Sequence, residues 1–271
     1  MEMTATPRKI ARKLYRSSPE DLVELTGRRY RALARRRRSP APPTVAFLRS
    51  EEYRKLMNRY TPSGGDYGRH EAELATKSYV FRNFDVDDRL GAFRWRGIQE
   101  NLDVVLDVIA EHSGLVVDLG GAASPFGLGS VVVDRLPEDA YGNPVPYRSL
   151  DELPGKADAI ISSHTLEHIP DLEAELERIR ESLRPGGTLL VLLPSFYCER
   201  WRVGTHSHAS FGDHVWTFGL SGTPDVPDDL VSYVEIDRLL EQHFRVDSIA
   251  YCGDDSIFAV CRRDEDAGGH P

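Results

Sequence analysis

Long apolar runs are missing from this chain of 271 residues. No stretch approaches the roughly 18 apolar residues that span a bilayer, and the amino-terminal region lacks the apolar core of a secretory signal. A cytoplasmic setting is therefore expected. Cysteine is scarce: Cys198, Cys252 and Cys261 show no C-x-x-C spacing and form no even set, which points to reduced, structural thiols. An excess of basic charge is also absent. Lys and Arg number 34 against 43 Asp and Glu, for a net charge of −9. No internal repeat is visible.

The charge that is present is unevenly spread. Residues 1–40 hold twelve basic side chains and four acidic ones, so they carry +8 and leave −17 for the remainder. Such an arm can bind nucleic acid, an acidic membrane surface or an acidic face of a partner subunit, and it is also consistent with a solvated helix and tether. A homodimer formed through these amino-terminal helices is one expectation. The acidic remainder argues against a broad nucleic-acid footprint.

At this length the chain can bury one sizeable core plus an appendage. Residues 1–43 read as a basic helical arm ending in the stiff linker Ser39-Pro40-Ala41-Pro42-Pro43. Residues 44–112 read as a helical cap or lid. Within it, residues 50–60 are helical, residues 66–92 are dense in Tyr, Phe and Arg, and one helix over residues 93–112 carries Ile98, Leu102, Val105, Leu106 and Ile109 on one face. An α/β core over residues 113–263 follows, and residues 264–271 read as a disordered tail.

In that core, residues 115–119 form a fully apolar strand suited to the middle of a parallel sheet. Further strands are predicted at 131–134, briefly near Pro146-Tyr147, and at 157–163 and 188–193. Ser232-x-x-Glu235 resembles a capping box for a helix running to Gln242. Residues 244–251 and 256–261 are the last strands. The short Gly253-Asp254-Asp255 connection requires them to pair antiparallel.

The most informative segment is Ser162-Ser163-His164-Thr165-Leu166-Glu167-His168-Ile169-Pro170-Asp171, which leads through a helical pattern to Leu183-Arg184-Pro185-Gly186-Gly187. Strand, turn, helix, Gly turn and strand make a parallel crossover with a polar cluster at the carboxyl end of its first strand. Ligands bind at that end in open α/β sheets. His164, Glu167 and His168, at i, i+3 and i+4, share one face once the helix starts. Upstream, Asp118-Leu119-Gly120-Gly121 sits where the first strand leaves the sheet, and its glycines let a ligand approach the backbone. Asp134, at the tip of the next strand, can accept both hydroxyls of a ribose. It also reads as an ordinary strand-end aspartate.

Together, Asp118-x-Gly120, Asp134, the Ser163-to-Asp171 motif and Leu183-Arg184-Pro185-Gly186-Gly187 resemble a class I S-adenosylmethionine-dependent methyltransferase over residues 115–195. The resemblance implies a Rossmann-like, doubly wound α/β fold. Its sheet has seven strands, mostly parallel with an antiparallel last strand, and a helical extension precedes it. It implies S-adenosylmethionine as cofactor, with Gly120 and Gly121 along its methionine part, Asp134 on the ribose, Ser149 and Leu150 at the adenine, and Asp118 and Ser163 close by. The chain departs from the family pattern at Ala122 and Ser124, where glycines are usual, and at Ser149, where an acid is usual.

Here the turn reads H-x-x-E-H. A subgroup of the family, including quinone and small-RNA O-methyltransferases, carries E-x-x-E-H and holds a divalent ion, with a further histidine from an Asp-His segment matched by Asp213-His214. By that resemblance His164, Glu167, His168 and His214 are candidate ligands for Mg or Mn, although an extra imidazole favours softer ions. Histidines that merely line the pocket are the plain alternative. H-x-x-E-H also matches an inverted zinc-protease motif, but that motif belongs inside a long helix, whereas here it ends a strand and Pro170 follows. His206 and His208, on the long loop that follows, are candidate general bases near pH 7.

The reading that results is a metal-assisted O-methyltransferase. Its acceptor is a small molecule or oligosaccharide, with sugar rings stacking on aromatic faces such as Trp201 and Trp216. RNA 2′-O-methylation, a quinone- or phenol-like acceptor, and a non-catalytic binding module remain as alternatives.

Overall fold

The computed structural model describes residues 43–60, 90–110, 114–198, 202–203, 214–224, 226–227, 230, 232–253 and 255–265. The basic arm, the Tyr- and Arg-rich stretch 66–89, Trp201, His206 and His208 lie outside the described residues.

The elements run α1 (Val45–Leu48), α2 (Glu51–Tyr60), α3 (Arg96–Glu100), α4 (Leu102–Ala110), β1 (Val116–Leu119), β2 (Val131–Val133), β3 (Ala157–Ser163), α5 (Leu172–Ser182), β4 (Leu183–Pro194), β5 (Thr217–Gly219), β6 (Tyr233–Glu235), α6 (Ile236–His243), β7 (Arg245–Cys252) and β8 (Ser256–Arg262). Six strands form one sheet in the order β2-β1-β3-β4-β8-β7, and β5 and β6 pair separately. The first four are mutually parallel, whereas β8 is antiparallel to both its neighbours. This is the Rossmann-like α/β architecture expected, with an antiparallel last strand.

Among the described residues the main sheet has six strands rather than seven. The segment near Tyr147 contributes only a single parallel bridge to Val133. Pro144 and Pro146 precede Tyr147, and a proline has no N–H to extend a ladder.

Side chains alternate across the sheet as its pleat requires. Val117, Leu119, Ile160, Leu189, Val191 and Leu193 face a core shared with α5 and α6. Val116, Ala159, Ile161, Leu190 and Leu192 face the other, together with Leu48, Tyr53, Phe93, Ile98, Val105 and Leu106. The described parts of the expected cap, 43–60 and 90–110, thus cover one face of the sheet. Tyr53, fully buried, donates its hydroxyl hydrogen to the Phe93 carbonyl at 2.5 Å and ties α2 to this layer.

The single helix expected over 93–112 is broken into a 3-10 turn (Gly91–Arg94), α3 and α4. Asn101 sits at the break with φ −112° and donates its side-chain amide to the Gly97 carbonyl at 2.8 Å. Asn side chains compete with the helical backbone in this way. Helix α5 starts at Asp171, whose carboxylate caps Ala174 N at 3.2 Å, and buries Leu172, Leu176 and Ile179 on one stripe.

The Arg184-to-Gly187 turn is absorbed into β4 as an irregularity. Pairing moves from Ala157↔Leu183 to Ala159↔Thr188, and Gly186 takes φ +71°. The expected capping box at Ser232 does not form. Ser232 has φ +65°, residues 233–235 pair as β6, and Glu235 occupies the N-cap of α6 without a side-chain bond. Pairing with β5 draws these residues into extended backbone, which takes the Ser232 hydroxyl away from the helix start.

Candidate active site

The tips of β1 and β3 are neighbours, with Leu119 beside Ser162 in parallel register. Gly120 leaves β1 in the left-handed region at φ +74°, and its N–H donates to the Val133 carbonyl at 2.8 Å. A Cβ there would lie 2.2 Å from Thr165 Oγ1. Thr165 in turn donates to the Leu119 carbonyl at 3.0 Å, so the close approach that demands this glycine comes from the chain's own Thr165.

Asp118 is buried beneath the turn and accepts from Phe126 N at 2.8 Å. Burial pushes its carboxyl up to about 7. The Phe126 bond opposes that rise, and the nearby Asp134 and Asp139 charges add to it. Asp134 does not stand open at the strand tip: it accepts from Ala122 N at 3.1 Å and from Leu136 N at 2.9 Å. It therefore braces the first loop with both oxygens, and each oxygen keeps a lone pair for a further donor.

Ser149 is half-buried and occupies the N-cap position of a short 3-10 turn (Leu150–Glu152) without a side-chain capping bond, while Leu150 is buried. Leu150 also lines a cavity of about 340 Å³ with Asp151, Leu153, Lys156 and Arg178. Lys156 immediately precedes β3, so this cavity lies toward the strand's amino end. It is not the site of the polar cluster.

That cluster is assembled at the opposite end of β3. His164 turns the chain with φ +53°, and its N–H is held by the Leu192 carbonyl at 2.8 Å. The 3-10 turn Leu166–His168 then points the Glu167 side chain inward, at 1% exposure. Neither Glu167 oxygen has a hydrogen-bond partner. The imidazoles face it at ion-pair distance: His164 Nδ1 is 3.4 Å and His168 Nε2 4.0 Å from Oε1. His214 arrives from the segment before β5, where Val215 N donates to the Glu167 carbonyl at 2.8 Å and Trp216 Nε1 to the Ile169 carbonyl at 2.7 Å. The His168 and His214 rings meet edge to face, their centroids 4.6 Å apart. Burial alone would raise the Glu167 carboxyl, but the facing imidazoles outweigh it and hold the group below its ordinary value.

Of the four candidate ligands, Glu167, His168 and His214 converge, each offering an atom within 4.8 Å of the others. His164 stands beside Glu167 outside that trio, its ring against Trp95 at 4.7 Å. Among the described residues the trio contains a single carboxylate. An inward-facing, nearly fully buried carboxylate that is met only by imidazoles fits a cation, because a buried charge is costly unless it is paired or coordinates a metal. Ser162 and Ser163 add two buried hydroxyls without partners at the same strand tip, which fits a polar ligand lying across β1 and β3.

Trp95, against His164, and Thr165, against Gly120, are contacts that the sequence reading did not include. Trp95 falls inside a helical pattern, and only the break before α3 turns it onto His164. Thr165 lay within the quoted motif, but a small polar residue there carries no periodic signal.

Residues 92–222 match a family model described as a methyltransferase domain. No curated protein matches the chain. Among solved structures, the putative methyltransferase in complex with the Haloferax volcanii Trm112 activator is 14% identical, with a TM-score of 0.46 over 68% of this chain and 95% of that one. A Mesorhizobium loti S-adenosylmethionine-dependent methyltransferase is 16% identical, with a TM-score of 0.43 over 62% and 98%. The magnesium protoporphyrin IX methyltransferase of Synechocystis PCC 6803, solved with S-adenosylhomocysteine bound, is 16% identical, with a TM-score of 0.41 over 79% and 95%. Likenesses this distant say nothing about acceptor or mechanism.

Proposed function

We propose that this chain, whose residues 92–222 match a family model described as a methyltransferase domain, is an S-adenosylmethionine-dependent enzyme that methylates a hydroxyl of a sugar, oligosaccharide or glycosylated metabolite with the help of a divalent cation. The observation that carries the reading is the buried Glu167 carboxylate, without hydrogen bonds, beside His168 and His214 at the carboxyl end of β3.

S-adenosylmethionine supplies an electrophilic methyl group. The chain's part is to hold donor and acceptor in line, and positioning of this kind can remove a large share of a bimolecular barrier. In this reading the Gly120–Gly121 turn, Asp118, Asp134, Ser149 and Leu150 receive the nucleoside, and the Ser162 and Ser163 hydroxyls bond to the ligand crossing the strand tips. Glu167, His168 and His214 would hold the cation, with His164 packed beside Glu167. A divalent ion there supplies Lewis acidity that lowers the pKa of a hydroxyl. His208 or His206 takes the acceptor's proton as general base. His208 lies six residues before His214 in the chain.

An oxygen acceptor is favoured because a Lewis-acidic cation lowers the pKa of a hydroxyl that it binds. Exposed aromatic rings support a sugar: Tyr197 is 40% and Tyr251 37% exposed, and their rings meet at 5.2 Å just beyond β4 and at the end of β7. The test is calorimetry of S-adenosylhomocysteine binding followed by transfer of labelled methyl to a panel of glycans. Turnover should fall with chelator and with His214→Ala, while cofactor affinity is kept. Turnover indifferent to both removes the cation from the mechanism, and transfer confined to RNA or phenols removes the sugar.

A further inference from the structure

We infer that the Glu167–His168–His214 cluster selects a divalent transition ion of the iron, cobalt or zinc kind and discriminates against magnesium. The inference rests on the assignment of a cation to this cluster and goes beyond it by specifying which chemistry of cation the chain can hold.

Three features carry it. The first is the donor set: one carboxylate and two imidazoles whose ligand atoms lie within 4.8 Å of one another, with no second acid in the group among the described residues. Imidazole nitrogen suits zinc, iron, nickel and copper, whereas magnesium is held by oxygen. Around a tetrahedral ion, metal–nitrogen and metal–oxygen bonds of about 2.0–2.2 Å place the ligand atoms about 3.3–3.6 Å apart. The trio therefore closes on an ion by side-chain rotations that draw its atoms together by about an ångström.

The second is burial. Glu167 is 1% and His214 7% exposed, while the His168 side chain is 30% exposed, so an ion entering must shed the water on its Glu167 and His214 sides. Magnesium gives up water reluctantly and usually keeps several molecules. The trio's single negative charge offers a hard dication little to compensate for that loss.

The third is the way the donors are held. The Val215 N–H fixes the Glu167 carbonyl, and the Trp216 indole fixes Ile169 beside it. His164, its ring tilted against that of Trp95, faces the same carboxylate at 3.4 Å. In metal sites a partner so placed orients the ligating carboxylate. The trio fills three positions, leaving room for an acceptor oxygen.

The experiment uses the full chain without a histidine tag, stripped with chelator and titrated with Co(II) while visible ligand-field absorption is recorded. One Co(II) per chain should saturate the signal, stoichiometric Zn(II) should abolish it, and Mg(II) in about 1,000-fold excess should leave it unchanged, which by affinity arithmetic corresponds to three decades of discrimination. His168→Ala and His214→Ala should each weaken Co(II) binding by more than the roughly 10- to 100-fold that loss of an outer-shell partner costs. His168→Gln, with circular dichroism matching the parent, controls for misfolding and should also lose affinity. Displacement of Co(II) by comparable Mg(II), or histidine variants that bind like the parent, overturns the selectivity. Absence of binding by any of these ions, with S-adenosylhomocysteine still bound, overturns the cation assignment itself and leaves the methyltransferase domain standing.

Discussion

Asp118 offers a direct measure of how the site's electrostatics load the fold. Its carboxyl is 1% exposed and pushed from 3.8 up to about 7, chiefly by burial. Below about pH 4 the folded and unfolded chains both hold this proton, and the group contributes nothing to pH dependence. As pH rises from about 4 to 7 the unfolded chain releases the proton while the folded chain keeps it, so stability falls by about 1.4 kcal/mol per pH unit. Above the folded value both forms are ionised and the loss levels off at no more than about 4 kcal/mol. Asp118→Asn removes the titration and keeps an acceptor for Phe126 N. Its extra amide donors cost a pH-independent 1–3 kcal/mol, roughly, where unpaired. In urea unfolding of the parent and variant from about pH 5 to about pH 8, the stability of the variant relative to the parent should therefore rise by about 3 kcal/mol and then plateau. A difference constant with pH would show that Asp118 ionises as an ordinary surface aspartate, and the reasoning from burial would be wrong.

Gly120→Ala places a methyl against Thr165 in left-handed backbone. The conformation costs about 1–2 kcal/mol and the overlap about 1–3, which thermal unfolding should register and which Thr165→Ala should partly restore. Asp134→Ala removes the acceptor of Ala122 N and Leu136 N. S-adenosylhomocysteine affinity should fall about tenfold or more, the equivalent of one charge-assisted hydrogen bond; unchanged affinity in calorimetry would confine Asp134 to bracing the loop. Asp171→Ala deletes the cap of α5 and should cost about 1 kcal/mol in chemical denaturation, with no effect on Co(II) binding if the helix only supports the cluster from behind.

The parallel crossover and its polar tip were legible from order along the chain. Apolar runs at 116–119, 157–163 and 188–193, with Asp171 capping the intervening helix, carry local signals strong enough to survive packing. The sequence by itself also placed Glu167 and His168 at a strand's carboxyl end, because that end is determined by chain direction. Local patterning did not settle boundaries that pairing overrides: Ser232 looks like a cap until β6 pairs with β5, and the 93–112 pattern looks like one helix until Asn101 breaks it. Only the tertiary structure decided the site's membership. It brought His214 from 46 residues beyond His168, set His164 against Trp95 rather than among the trio, and filled the open face of Gly120 with Thr165. Sequence spacing fixes which side chains share a face within one element, but the distance between atoms on different elements exists only once the sheet has brought those elements together.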